Sequence, residues 1–319
     1  MTDFERYVLE EHVEDFNDGI IDRRELLRRV TLVTGSLTAT FAFLDVVGCG
    51  STPSGPPAQP VSRASSTPQP FATPPAAPTT DGITVQPTDS RIKEQTLTVN
   101  GKDGATLISY SARPASGKPA GGILVVHENR GLLPHIKDVV RRVATAGFTG
   151  LSIDLLSRQG GADKLSDQAA YIAALAKQPV PDMVSDLMQA LSVLSGTGVG
   201  SKVGMTGFCF GGGMVWNTLV AGADVKAAVP FYGPKPTDIT NLAKTKAAVY
   251  AVYAEQDTAI SGTKDQMMAA LEQAGVPHDS KIYPGVGHAF HNDTGARYNA
   301  VQAEAAWVAT IEWFRKYVR

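Results

Sequence analysis

Val203-Gly204-Met205-Thr206-Gly207-Phe208-Cys209-Phe210-Gly211-Gly212-Gly213 runs from a short apolar stretch, through a cysteine set between glycines, into residues with helical character. An apolar run, a tight turn and then a helix is the context a nucleophile elbow requires. The turn is so sharp that neighbouring positions must lack side chains, and its strain pushes the central residue into the open. The backbone N–H that follows stands at a helix N-terminus, where it can stabilise a developing oxyanion. Gly207 and Gly211 meet the first demand, and Cys209 takes the central place. A lone cysteine is otherwise a small buried hydrophobe. The flanking glycines between strand and helix favour chemistry.

Outward from this point the chain alternates. Short apolar runs bounded by turn residues predict strands at Gly122–His127, Thr149–Ile153, Val203–Thr206, Ala227–Phe231 and Ala248–Tyr253. Helical stretches stand between and after them, at Ile136–Ala146, Asp182–Leu194, Gly213–Val220, Lys264–Gln273 and Ala300–Tyr317. Gly275 reads as a helix stop. Gln95–Val99 and Thr106–Arg113, split by Asn100-Gly101-Lys102-Asp103-Gly104, predict an opening hairpin. Such alternation predicts an α/β domain over 91–319, with a mostly parallel sheet covered by helices on both faces.

A nucleophile needs a base, and the base needs an orienting acid. In this fold class both follow the elbow, acid first and histidine second. Asp257 closes Tyr253-Ala254-Glu255-Gln256-Asp257 just after an expected strand, with Glu255 as its near rival. His288 lies on the glycine-rich loop Gly285-Val286-Gly287-His288, with His291 and His127 as alternatives. The histidines lack metal-ligand spacing, so neither a metal nor another cofactor is expected.

The rest of the chain reads differently. Within the first 49 residues, Arg23-Arg24-Glu25-Leu26-Leu27-Arg28-Arg29 precedes a moderately apolar run that ends in Val46-Val47-Gly48-Cys49. A basic stretch, an apolar stretch and small residues make an export signal. The arginine pair resembles a twin-arginine signal, and the run to Cys49 resembles a lipobox whose cysteine is acylated. The expectation is therefore a periplasmic or extracellular protein held to a membrane through Cys49. Residues 50–90 are rich in Pro, Ser and Thr and cannot bury enough apolar surface to order themselves, so they read as a tether. A formal charge of −2 over 319 residues, with no basic stripe, argues against nucleic-acid partners. With only Cys49 and Cys209 in such different settings, no disulfide is expected.

Several separate motifs occur in one order: Val126-His127-Glu128-Asn129-Arg130-Gly131, Ile153-Asp154-Leu155-Leu156-Ser157-Arg158, the elbow at Cys209, Tyr253–Asp257, and Gly287-His288-Ala289-Phe290. Over about residues 91–319 they resemble the dienelactone hydrolase family. The resemblance implies an α/β-hydrolase fold with Cys209, Asp257 and His288 as triad, and backbone N–H groups of Asn129 and Phe210 as oxyanion hole. It also implies that Glu128 takes the thiol proton once substrate arrives; otherwise Glu128 is a strand-end carboxylate paired with Arg130. Arg158 matches a family arginine that binds the substrate carboxylate, as a planar guanidinium suits. A second such arginine is expected four residues past the histidine, where this chain has Asn292. Tyr232, in Phe231-Tyr232-Gly233-Pro234, is expected to line the pocket.

The expected activity is hydrolysis of a small-molecule lactone or ester through an acyl-thioester. A general carboxylesterase or thioesterase with no need for an acidic substrate is the second reading, favoured by Asn292. A non-catalytic binding protein on the same fold is the third.

Overall fold

The computed structural model describes residues 1–46, 84–165 and 167–319, in two compact units, one within Met1–Ala77 and one within Pro78–Arg319. Cys49 and nearly all of the expected tether lie outside the described residues.

The first unit holds three helices, α1 (Asp3–Asn17), α2 (Arg23–Thr34) and α3 (Leu37–Val46). Thr2 and Glu5 form a reciprocal capping box on α1, and Asp22 caps α2 through Glu25 N–H. Gly35 ends α2 in the left-handed conformation. Helix α1 packs on α2 and α2 on α3, with Leu9, Leu26, Val30 and Val33 buried. No described helix is long and apolar enough to cross a membrane.

The second unit opens with β1 (Ile92–Gln95), β2 (Val99–Asn100), β3 (Thr106–Leu107) and β4 (Ser109–Pro114), then β5 (Gly122–Val126), α4 (Pro134–Thr145) and β6 (Thr149–Ile153). Short α5 (Gly161–Lys164), α6 (Gln168–Ala176) and α7 (Val180–Leu194) lead to β7 (Val203–Phe208), α8 (Phe210–Val220) and β8 (Ala227–Phe231). The chain closes with β9 (Ala248–Ala254), α9 (Thr258–Ser261), α10 (Lys264–Ala274), β10 (His278–Tyr283) and α11 (Ala300–Tyr317). The expected hairpin exists but is broken into two pairings, β2 with β3 and β1 with β4.

Eight strands form one sheet in the order β1-β4-β6-β5-β7-β8-β9-β10, antiparallel at β1–β4 and β4–β6 and parallel from β6 onward. Strands β5 to β9 are buried along their whole length, the mark of a sheet covered on both faces. Right-handed crossovers require this: α4 leads from β5 to β6 in one direction, and α7 leads back across β5 to β7 in the other. The order therefore reverses at β5. Ligands bind at such a switch point, beyond the carboxyl ends of the strands. That edge carries Glu128 after β5, Cys209 after β7, Tyr232 after β8 and Asp257 after β9.

The catalytic unit begins earlier than the composition suggests. The backbone N–H groups of Thr84 and Val85 donate to Asp138 on α4 at 3.1 and 2.8 Å, and Arg141 holds the Val85 carbonyl. Residues read as the end of the tether are thus part of the folded unit.

Candidate active site

Cys209 sits between β7 and α8 with φ 59° and ψ −124°, a conformation that costs a non-glycine residue of order 1–3 kcal/mol. The glycines on either side are required by packing. A Cβ on Gly207 would strike the Gly211 carbonyl, and one on Gly211 would strike the carbonyls of Val126 and His127. The first turn of α8 is thereby pressed against the end of β5. Val126 is in register with Gly207, so Asn129 and Phe210 continue from two adjacent parallel strands. Both residues therefore stand just beyond the carboxyl ends of neighbouring strands.

Cys209 is buried, with its sulfur within 4.8 Å of a His288 ring nitrogen. His288 Nδ1 lies 2.7 Å from Asp257 Oδ2, and both residues are about 5 % exposed or less. A carboxylate only accepts, so Nδ1 carries the hydrogen, and in the neutral ring the lone pair is then on Nε2. Asp257 is itself fixed, because its Oδ1 caps α9 by accepting from Ile260 N–H at 3.3 Å. The rival acid is spent elsewhere: Glu255 Oε2 accepts from Gly285 N–H at 2.8 Å and so tethers the His288 loop.

The alternative histidines are structural. His127 Nε2 accepts from Leu155 N–H at 3.0 Å and its Nδ1 lies 2.6 Å from the Glu128 carbonyl, a strut between the ends of β5 and β6. Burial lowers its pKa and keeps it neutral. His291 is stacked on Phe208 with ring centres 4.8 Å apart, and burial pushes its pKa well down.

Tyr232 lies beside His288. It follows β8 with φ 34°, and its ring lies 5.0 Å from that of His288. Burial, then the charges of Glu128 and Cys209, push its pKa well above the ordinary phenol value. Tyr232 is therefore a neutral phenol.

Geometry speaks against one alternative and one expectation. Glu128 does not pair with Arg130; its Oε2 accepts from Asn292 Nδ2 at 2.5 Å. Arg158 does not present a guanidinium to ligand. It donates to Asp103 twice at 2.8 Å and to Asp186 at 2.6 and 3.0 Å, tying the β2–β3 turn to α7. Four bonds to two carboxylates leave it no fork for a substrate anion.

What the sequence reading missed gathers around Asn292. Thr294 donates to its Oδ1, and the next residue, Asp293, lies 2.7 Å from His135 Nδ1 and also pairs with Arg142. The run Asn292-Asp293-Thr294 carried a signal, since Asn, Asp and Thr side chains bind backbone groups just ahead of them. A cavity of about 530 Å³ opens on Glu128, Arg130, His135, Gln168, Asn292 and Thr294.

The crossover order, the strained elbow and the histidine–aspartate pair at the carboxyl edge define an α/β-hydrolase. Residues 107–318 match the dienelactone hydrolase family. A Methylorubrum extorquens protein provisionally named carboxymethylenebutenolidase is 38 % identical over 224 residues, 66 % of this chain and 76 % of that protein. An Escherichia coli K12 protein with the same provisional name is 32 % identical over 260 residues, 76 % of this chain and 94 % of its own. A Klebsiella pneumoniae crystal structure, provisionally called a dienelactone hydrolase, superposes with TM-score 0.64 at 28 % identity, covering 71 % of this chain and 99 % of that one. The chain belongs to the dienelactone hydrolase family.

Proposed function

We propose that this hydrolase cleaves carboxylic ester or lactone bonds of small molecules through an acyl-enzyme on Cys209. The observation that carries the reading is the buried cysteine at positive φ, its sulfur within 4.8 Å of a histidine whose other nitrogen is bound by Asp257. In acylation the Sγ–C bond forms and the carbonyl π pair moves to oxygen, toward the N–H groups of Asn129 and Phe210. The C–O bond then breaks. The thiol proton, accepted by Glu128, ends on the leaving oxygen, so the alcohol departs neutral. In deacylation His288 Nε2 takes a proton from water, the hydroxide oxygen attacks, the C–S bond breaks, and the sulfur recovers that proton from the imidazolium.

Mixing enzyme with an activated ester is the test. A burst of alcohol and an acyl adduct on Cys209 are expected, with Cys209→Ala losing roughly 10⁴-fold or more in kcat. Undiminished turnover by Cys209→Ala would overturn the reading.

We infer separately that the chain is exported and anchored. Supporting this are Arg23-Arg24 ahead of a weakly apolar stretch and Val46-Val47-Gly48-Cys49 after it. Lysine at both arginines is expected to leave the protein in the cytoplasm, and Cys49→Ala to move it from membrane to soluble fractions. Unchanged fractionation would count against each in turn.

A further inference from the structure

Asn292 stands where a family arginine is expected, and its amide is held in one orientation. Thr294 donates to Asn292 Oδ1 twice, from its backbone N–H at 2.9 Å and from its hydroxyl at 2.7 Å. A backbone N–H has no acceptor capacity, so the atom facing it must be the amide oxygen, and Nδ2 must face Glu128. An amide NH₂ in turn only donates. Glu128 Oε2, 2.5 Å away, therefore accepts and carries no proton toward Asn292.

That leaves Oε1. It is buried, and no hydrogen-bond partner for it occurs among the described residues. Glu128 and Asn292 are 6 % and 5 % exposed, so water does not compete freely for the pair. The charges of Glu128 and Cys209 both bear on the Tyr232 phenol, whose ring lies 5.0 Å from that of His288.

We propose that Asn292, locked by Thr294, is a positioning residue that keeps Glu128 Oε1 open as the oxygen receiving the Cys209 proton, and that the substrates are neutral esters or lactones. The inference rests on the cysteine-nucleophile reading and names the substrate class for that site. Its logic is electrostatic. A neutral amide gives Glu128 one hydrogen bond and no opposite charge, so no ion pair has to be broken by a substrate anion before the carboxylate can act. The other arginine expected to meet such an anion, Arg158, is taken up by Asp103 and Asp186. Proton balance is simple: Sγ–H breaks, Oε1–H forms, and the sulfur keeps the electron pair with which it attacks the carbonyl carbon.

The experiment compares wild type, Asn292→Leu, Thr294→Val and Thr294→Ser on p-nitrophenyl acetate and on p-nitrophenyl hemisuccinate, a neutral and an acidic ester with the same leaving group. Melting temperature and the rate of Cys209 alkylation by iodoacetamide are followed in parallel. Wild type is expected to turn over the neutral ester at least as well as the acidic one. Asn292→Leu removes the donor that holds Glu128 Oε2 and so leaves the carboxylate free to turn away from the thiol. Its kcat on the neutral ester is expected to fall about ten- to a hundredfold, with KM within about twofold. Alkylation of Cys209 is expected to slow in parallel. Thr294→Val frees the amide to turn and is expected to show the same changes more weakly; Thr294→Ser keeps both donors and should restore the wild-type profile.

An alkylation rate that stays put in folded Asn292→Leu and Thr294→Val, while kcat or stability alone drops, would make Asn292 merely structural and overturn the proposal. A marked preference for the hemisuccinate, lost in Arg130→Gln, would overturn the substrate class. The underlying reading fails by a different sign. If wild type gave no acyl adduct on Cys209, the nucleophile itself would be wrong, whatever the Asn292 variants did.

Discussion

Arg142 on α4 and Arg158 beyond β6 are each clasped by two aspartates, yet the two clusters lie at different depths. The Arg142 side chain is 13 % exposed, and those of its partners Asp138 and Asp293 are fully buried. The Arg158 side chain is 35 % exposed, and Asp103 is more open still. The same ion pair is worth little where water screens it, whereas breaking a buried one strands a charge in low dielectric. Position in the chain adds to the contrast. Arg158 fastens a hairpin turn to α7. Arg142 joins three segments, because Asp138 also receives Thr84 and Val85, and Asp293 lies between Asn292 and Thr294. The burial of its partners, more than the motif it sits in, decides what an arginine does here.

The sharpest way to break this comparison is to remove one buried partner. Asp293→Ala leaves Arg142 and His135 without their shared carboxylate and is expected to cost about 3–5 kcal/mol, read as a lowered urea midpoint. Acid should expose the same cluster in the wild type. Burial by itself would raise the Asp293 pKa, but the hydrogen bond with His135 and the Arg142 charge outweigh it and hold it below its ordinary 3.8. A carboxyl whose folded pKa is depressed contributes stability at pH values above its unfolded pKa, and that contribution is lost as pH falls through the folded value. Stability should therefore fall below about pH 4, with a shallower fall in Asp293→Asn. An identical acid slope in the variant would remove Asp293 from the account.

A milder cut tests the third segment of the buried cluster. Chains beginning at residue 80 and at residue 92 differ in the residues that bind Asp138. Losing the Thr84 and Val85 donors to a buried carboxylate is expected to cost about 2 kcal/mol, or roughly 4–8 °C in melting temperature for a unit of this size. Equal melting would return residues 84–91 to the tether.

What could be read from the sequence follows from how local each signal is. Thr149–Ile153, Ala227–Phe231 and Ala300–Tyr317 were bounded correctly because a buried strand or a long final helix is a continuous pattern with turn residues at its ends. The elbow was legible because glycines crowd a tight turn within a few residues of Cys209. Helix α6 was not, since Gln168–Ala176 is apolar almost all round and shows no 3.6-residue rhythm. Side-chain pairing was the least legible. Arg158 meets Asp186 across 28 residues and Asp103 across 55, and Asn292 meets Glu128 across 164. Nothing in spacing reveals such partners, so a motif arginine looked free and an asparagine looked like a loss.

The smallest expected effect belongs to the exposed cluster. Arg158→Ala leaves Asp186, only 4 % exposed, without its guanidinium, while Asp103 stays in water. A buried acceptor left short of donors costs about 1–2 kcal/mol once solvent screening of the outer pair is allowed for. Because Asp103 and Asp186, the carboxylates that hold Arg158, are not among the site residues, kcat/KM should move by less than about threefold, equally for acidic and neutral esters. If the variant instead lost activity on acidic esters alone, the guanidinium would have to leave its two aspartates when substrate binds. The two arginines would then differ in mobility as well as in depth, and Arg158 would regain the ligand-facing role its motif suggested.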